Sequence, residues 1–235
     1  MTAPHPEKRQ LGSWTWREAA AEAPQVLLVP VGSCEQHGPH LPLDTDTRIA
    51  TAVAERAAAA AGVGVVVAPP VAYGSSGEHQ GFPGTLSIGT GALRAVLVEL
   101  GRSAFPSTET GAFASVVFVN GHGGNHEALR GAVDLLRAEG RPVSAWWPTI
   151  ASGDAHAGRT ETSLLLAIAG DAVGAERPVG ATEPIEELLT SLRSGGVAAV
   201  ASNGVLGDAT GATAEEGAAL LAALVDDLGA RLAVS

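Results

Sequence analysis

Cysteine, lysine and long apolar runs are all scarce in this chain. Its 235 residues contain one cysteine, Cys34, which excludes an internal disulfide framework and fits a reducing cytoplasm. Lys8 is the only lysine, and 14 basic residues stand against 25 acidic ones for a net charge of −11. No basic cluster is present, so neither a nucleic acid nor an acidic membrane surface finds the footprint it would need. That leaves a small molecule, a peptide or another protein as the partner. Residues 1–10 carry His5, Glu7, Lys8 and Arg9 without an apolar signal region, so secretion is not indicated. The apolar run Val63 to Val71 is interrupted by Pro69-Pro70 and is too short to span a bilayer.

What is present is aliphatic and rhythmically punctuated. With 46% hydrophobic and 17% charged residues, the chain can build one compact α/β domain, expected over residues 25–235 behind an N-terminal extension at 1–24. Val26 to Val31, Val63 to Val71 and Ser115 to Asn120 read as buried strands. Each leads into a loop rich in glycine, and each loop into a helical stretch: Asp46 to about Ala61, residues 91–104, and a segment ending near Ala138. A fourth strand is expected at Val143 to Trp147, and later helices at Pro184 to Leu192 and Ala212 to Leu232. Strand, loop and helix in alternation predict a mostly parallel sheet with helices on both faces. Right-handed crossovers then gather the loops at one edge, where such sheets bind ligands.

Chemistry concentrates in those loops. Of seven histidines, six lie in or beside them: His37, His40, His79, His122, His126 and His156. Glu35 and His37 are two residues apart and project to the same side of an extended segment. Asp46 opens the following helix, where it can fold back toward them. Two carboxylates and an imidazole suit a divalent first-row metal. His122 stands between glycines that let a ligand or metal approach the backbone. Gly121-x-Gly123 also resembles the start of a dinucleotide-binding fingerprint, but the third glycine is missing and no acidic residue follows the next strand. Glu161 is either a further ligand or an acid placed to suit a helix dipole, with Thr160 or the preceding turn as the cap. His156 is either a proton shuttle or a turn residue. Asp44 reads as a loop-bracing group, while His40, Glu78 and His79 fit ligand-supporting, substrate-facing or structural roles alike. Cys34 lacks a base pattern that would make it a nucleophile.

Four motifs, in order, carry a resemblance: Gly32-Ser-Cys-Glu-Gln-His-Gly-Pro-His-Leu-Pro-Leu-Asp-Thr-Asp46, Gly77-Glu-His-Gln-Gly-Phe-Pro-Gly-Thr85, Asn120-Gly-His-Gly-Gly-Asn125 and His156-Ala-Gly-Arg-Thr-Glu-Thr-Ser163. With Gly204 to Asp208 and Ala212 to Gly217, the chain resembles the creatininase (creatinine amidohydrolase) family over most of residues 25–230. The resemblance implies a three-layer α/β/α sandwich, commonly assembled as a homo-oligomer, with a binuclear centre of zinc, iron or manganese. It carries metal-ligand roles to Glu35, His37, Asp46 and His122, with Asp46 bridging. Creatininase itself has a ligating Glu two residues after the third-motif His, where this chain has Gly124, so Glu161 is expected to complete the second metal's shell. His156 is the expected proton donor to the leaving amine, with Glu161 beside it in the catalytic set. The wording around Leu41 to Ala54 and Leu135 to Arg141 is similar to family members implied to remove a C-terminal Val-Tyr dipeptide from a modified precursor peptide of a redox cofactor.

Overall fold

A computed structural model describes residues 9–22, 25–62, 64–105, 113–150 and 153–233. After a short helix α1 (Trp16–Ala21), capped by Thr15 and Glu18 in a reciprocal box, the chain alternates strand and helix. The order is β1 (Gln25–Val31), α2 (Thr45–Ala61), β2 (Val65–Val67), α3 (Gly89–Ala104), β3 (Phe113–Asn120), α4 (His126–Ala138), β4 (Val143–Trp146), α5 (Arg159–Ala169), α6 (Ile185–Gly195) and α7 (Ala214–Leu232). The strands form one sheet in the order β2-β1-β3-β4, parallel throughout.

Alternation along each strand divides the core into two layers. Leu28, Val65, Val67, Val117, Val119 and Trp146 pack with side chains of α2, α5 and α7, among them Val53, Leu165 and Leu221. Their neighbours Leu27, Val29, Val31, Val66, Val116 and Phe118 pack with Leu93 and Leu97 of α3 and Leu129 and Leu136 of α4. Strands buried on both faces explain the unbroken aliphatic runs, and the result is the expected three-layer sandwich.

β2 is much shorter than its apolar run. Ala68 donates to the Leu28 carbonyl and Val71 to that of Pro30, but Pro30 has no N–H to continue the parallel ladder between them. Ala68-Pro69-Pro70 therefore leaves the sheet, and the chain rejoins β1 only at Val71, whose carbonyl accepts from Gly32.

From β1 the chain passes over one face through α2 to β2. It then returns over the other face through α3 to β3, on the far side of β1. That reversal makes the carboxyl ends of β1 and β3 a topological switch point. The first turn of α2 is wedged there. A Cβ on Gly32, just past β1, would lie 2.5 Å from the Thr47 backbone, and one on Gly121, just past β3, 2.4 Å from the Asp46 carbonyl. These glycines admit a helix, not a phosphate. Among the described residues, no helix is long and apolar enough to cross a membrane.

Candidate metal centre

The wedge carries Asp46 into the crevice, where its two oxygens face opposite ways. Oδ1 is 3.1 Å from His37 Nε2, and Oδ2 is 3.3 Å from His122 Nδ1 while accepting from Ser33 Oγ at 2.7 Å. Glu35 follows β1 and is fully buried. Its Oε2 is 3.2 Å from His122 Nε2, and its Oε1 is 3.2 Å from His79 Nε2 and 3.7 Å from His156 Nδ1. On the other side of Asp46, Glu161 Oε2 is 3.8 Å from His37 Nε2 and 4.0 Å from His156 Nδ1. Glu35, His37, Asp46, His122, His156 and Glu161, drawn from four separate loops and helix starts, thus converge on one site.

Hydrogen-bond bookkeeping fixes which nitrogen each imidazole presents. His37 Nδ1 lies 3.1 Å from the Glu35 carbonyl. A carbonyl only accepts, so Nδ1 carries a proton and Nε2 is the nitrogen presented to Asp46 and Glu161. His122 Nε2 likewise reaches the Ser75 carbonyl at 3.2 Å, which leaves Nδ1 to face Asp46. His156 Nε2 donates to the Gln36 carbonyl at 2.9 Å and presents Nδ1. The Gln36 amide gives one proton to the Gly204 carbonyl at 3.0 Å, leaving the other for His79 Nδ1 at 2.9 Å. Backbone carbonyls that hold one ring nitrogen in this way are the usual support of metal-binding histidines; His79, whose Nδ1 accepts, turns a protonated Nε2 toward Glu35 instead.

The electrostatics point the same way. Burial opposes charge on His37, but Asp46 above all, then Glu161 and Glu35, outweigh it and raise the imidazole to about 10. His122 is likewise raised against its burial, by Glu35 and Asp46. Burial pushes Glu161 up to about 7, opposed by His37 and reinforced by Asp46. Burial, with His37 and His79 nearby, drives His156 down into its neutral form, and burial takes His79 to about 4 against the pull of Glu35. Positive charge is thus favoured on His37 and His122, the two imidazoles that face Asp46, while His79 and His156 stay neutral although Glu35 is near both.

Both Glu35 oxygens are buried without a hydrogen-bond partner. An ionised carboxylate left so would cost several kcal/mol, of order 1–3 per lost bond and more for a charged group. The described residues contain three groups whose donor atoms could share an ion: Glu35-Asp46-His122, His37-His156-Glu161 and Glu35-His79-His156. Nitrogen and carboxylate oxygen are the donors that zinc, manganese and iron accept, so the residues fit the divalent metal expected of them.

Other expectations divide. Asp44 is on the surface, paired with Arg48 at 2.7 Å, and braces the start of α2. His40 is buried against Thr162 Oγ1 at 2.8 Å and belongs to the packing of α5. His126 leaves the site altogether and stacks on Trp147 at 4.6 Å, because the turn at 123–125 starts α4 pointing away. The α5 cap is the preceding turn rather than Thr160: Asp154 Oδ1 accepts from the Thr160 N–H at 2.9 Å, and its other oxygen accepts from that of Arg159. Glu161 accepts from Ala157 N at 2.6 Å, so it is a helix-start acid and a site carboxylate at once. His79, left open by the sequence, sits against Glu35. Glu78 is about one-third exposed, with Oε1 3.5 Å from His122 Nε2. A Cβ on Gly124 would come within 2.7 Å of that same oxygen, so the space beside Gly124 is taken by a carboxylate from another loop.

Comparison with known proteins matches the family model described as creatinine amidohydrolase (creatininase) to residues 12–232. The mycofactocin precursor peptide peptidase of Mycolicibacterium smegmatis is 57% identical over 94% of this chain and 90% of that protein. That of Mycobacterium tuberculosis is 53% identical over 95% and 90%. Creatinine amidohydrolase of Pseudomonas putida is 31% identical over 72% and 75%. Among solved structures, creatinine amidohydrolase superposes with a TM-score of 0.75 at 27% identity, covering 95% of this chain and 96% of that one. A mutant creatininase described as Zn-Zn type gives the same TM-score, identity and coverage.

Proposed function

This chain belongs to the creatininase family, and from that premise we propose that it is a metal-dependent peptidase. In this reading it removes the C-terminal Val-Tyr dipeptide from the modified mycofactocin precursor peptide during redox-cofactor maturation. Identity of 57% to a precursor peptide peptidase, almost end to end, is the observation that carries it. The reading places the enzyme in the cytoplasm as a homo-oligomer, with residues 25–235 as a single hydrolase domain.

Glu35, Asp46 and His122 would hold one divalent ion, and His37, Asp46 and Glu161 a second. When bound, two such ions lower the pKa of a shared water and polarise the scissile carbonyl; zinc, iron and manganese all suit the donors. The remaining work falls to the protein. Gln36 fixes the orientation of His79 and His156 through its amide and carbonyl. His156, neutral and with Nδ1 facing the crevice, is suited to take up the proton released from water and deliver it to the leaving amine. The neutral state is supported by its burial and by the neighbouring His37 and His79. Burial of Glu35 and Asp46 excludes bulk water from the carboxylates that set the local field.

Incubation of the metal-loaded protein with the crosslinked precursor peptide, followed by mass detection of free Val-Tyr, tests this. Release of the dipeptide is the expected outcome. No release, together with turnover of creatinine or a formamide, would place the enzyme with the small-amide hydrolases of its family.

A further inference from the structure

The catalytic crevice opens into a cavity of about 790 Å³, and α6 forms one wall of it through Ile185, Leu189, Leu192 and Arg193. These positions are spaced i, i+4, i+7 and i+8, one stripe of the helix running about 12 Å along its axis. Leu188 and Leu192 anchor α6 on a small separate core with Val197, Ala201, Leu206 and Phe82. Ile185 and Leu189 are instead 36% and 38% exposed. The stripe ends against the catalytic loop. Gly196, with φ +69°, packs so that a Cβ on it would sit 2.5 Å from the Glu78 carbonyl. Arg193, in the last turn, therefore stands at the end of the wall nearest the centre.

Charge singles out Arg193. Asp46, Glu78 and Glu161 line the same cavity, and Arg193 is its one Arg or Lys in a chain of net charge −11. No carboxylate is paired with it among the described residues, as is also true of several arginines that lie away from the cavity. Away from His122 at the centre itself, Arg193 is the cationic side chain that an anionic group entering this cavity meets.

Resting on the peptidase reading above, we propose that Arg193 is a specificity residue that binds the free C-terminal carboxylate of the substrate peptide. The side chain of the C-terminal residue, next to that carboxylate, lies back along Leu192 and Leu189 on the apolar part of the stripe. An extended dipeptide reaches about 7 Å, which is the span required between the Arg193 guanidinium and the reacting carbonyl. This makes the enzyme a counter from the chain end rather than a reader of internal sequence. A guanidinium matches a carboxylate through two parallel hydrogen bonds, which an uncharged C-terminal amide cannot reproduce.

The test compares precursor peptides ending in Val-Tyr acid and Val-Tyr amide on wild type, Arg193→Gln and Arg193→Lys. Calorimetric binding of the free Val-Tyr dipeptide and its amide is measured in parallel. Wild type is expected to prefer the acid, and Arg193→Gln to raise KM for the acid by about ten- to hundredfold with kcat and metal content kept. Arg193→Lys should recover part of the preference. Equal handling of acid and amide by wild type, or an unchanged preference in Arg193→Gln, overturns the proposal. So does a Leu189→Ser variant that changes the sedimentation of the protein but not KM, since the stripe would then be a contact between copies. Arg193-dependent dipeptide binding without any peptide cleavage would leave this subsite standing and sink the peptidase reading instead.

Discussion

The two sides of Asp46 are built differently. Toward His122, the carboxylates of Glu35 and Asp46 lie 3.2 and 3.3 Å from the ring, all three side chains are buried, and Ser33 pins the Asp46 oxygen. Toward His37, Glu161 stands off at 3.8 Å, is 20% exposed, and spends part of its charge on the N–H of Ala157. One half is closed by strand ends and a wedged helix. The other is completed by α5, whose position depends on a loop and a cap. In the binuclear centre proposed above, that difference predicts unequal affinity for the two ions.

Glu35→Gln should strike hardest. It removes the carboxylate that touches three imidazoles, and turnover is expected to fall by about 10⁴-fold, the scale on which one member of a catalytic unit fails. Metal analysis of the purified variant should show the tight half empty; full occupancy would mean the halves are assigned the wrong way round. Glu161→Gln should spare the tight ion and weaken the other by at least about 100-fold, read as one metal per subunit after mild chelation. Gln36→Leu touches neither half directly but removes the amide that holds His79, while His156 keeps its bond to the main-chain carbonyl, and a loss of about 10–100-fold in activity with metal retained is expected.

Proton release gives a finer comparison. In the metal-free protein His37 is held at about 10 by Asp46, Glu161 and Glu35 against its burial. At pH 7.5 it is therefore protonated, and an ion entering its half must displace that proton. Metal uptake should strengthen as pH rises from 6 to 9, and its calorimetric enthalpy should change with the ionisation heat of the buffer. The sign for stability is the reverse. A folded value above the ordinary 6.5 means that His37 stabilises the metal-free fold fully below about pH 6.5, and the contribution is lost as pH climbs through about 10. Chelated protein should thus lose thermal stability on the alkaline side while loaded protein does not. The smallest effect is expected from Asp44→Asn, whose partner Arg48 is on the surface. Unfolding free energy should change by no more than about 1 kcal/mol and activity not at all.

Much of this was legible before any coordinates, and the reasons are local. Buried parallel strands write themselves as aliphatic runs, and Ala-rich helices ending at glycine declare their bounds, so the sandwich and the loops at its edge follow from period and punctuation. Glu35, His37, Asp46 and His122 stand in loops where no packing demand explains them. Pro30 was harder, because its effect falls on the neighbouring strand: a missing N–H in β1 shortens β2. His126 sits in the same motif as His122, and only the 3-10 turn between them sends it away from the site. Glu161 carries a signal that a helix start would produce anyway, and His79 and Gln36 act through partners far off in sequence, such as Gly204. Arg193 lies just past the helix expected at Pro184 to Leu192, and what marks it is the acidity of the cavity around it, which no single stretch of sequence contains.

The most direct measurement of the unequal centre is metal content per subunit followed through stepwise chelation of the protein purified without chelator. Two ions per subunit at the start, falling to a stable plateau of one, with that plateau reached at once in Glu161→Gln, is the expected result. A single ion throughout, or loss of both together in wild type and variant alike, would contradict it.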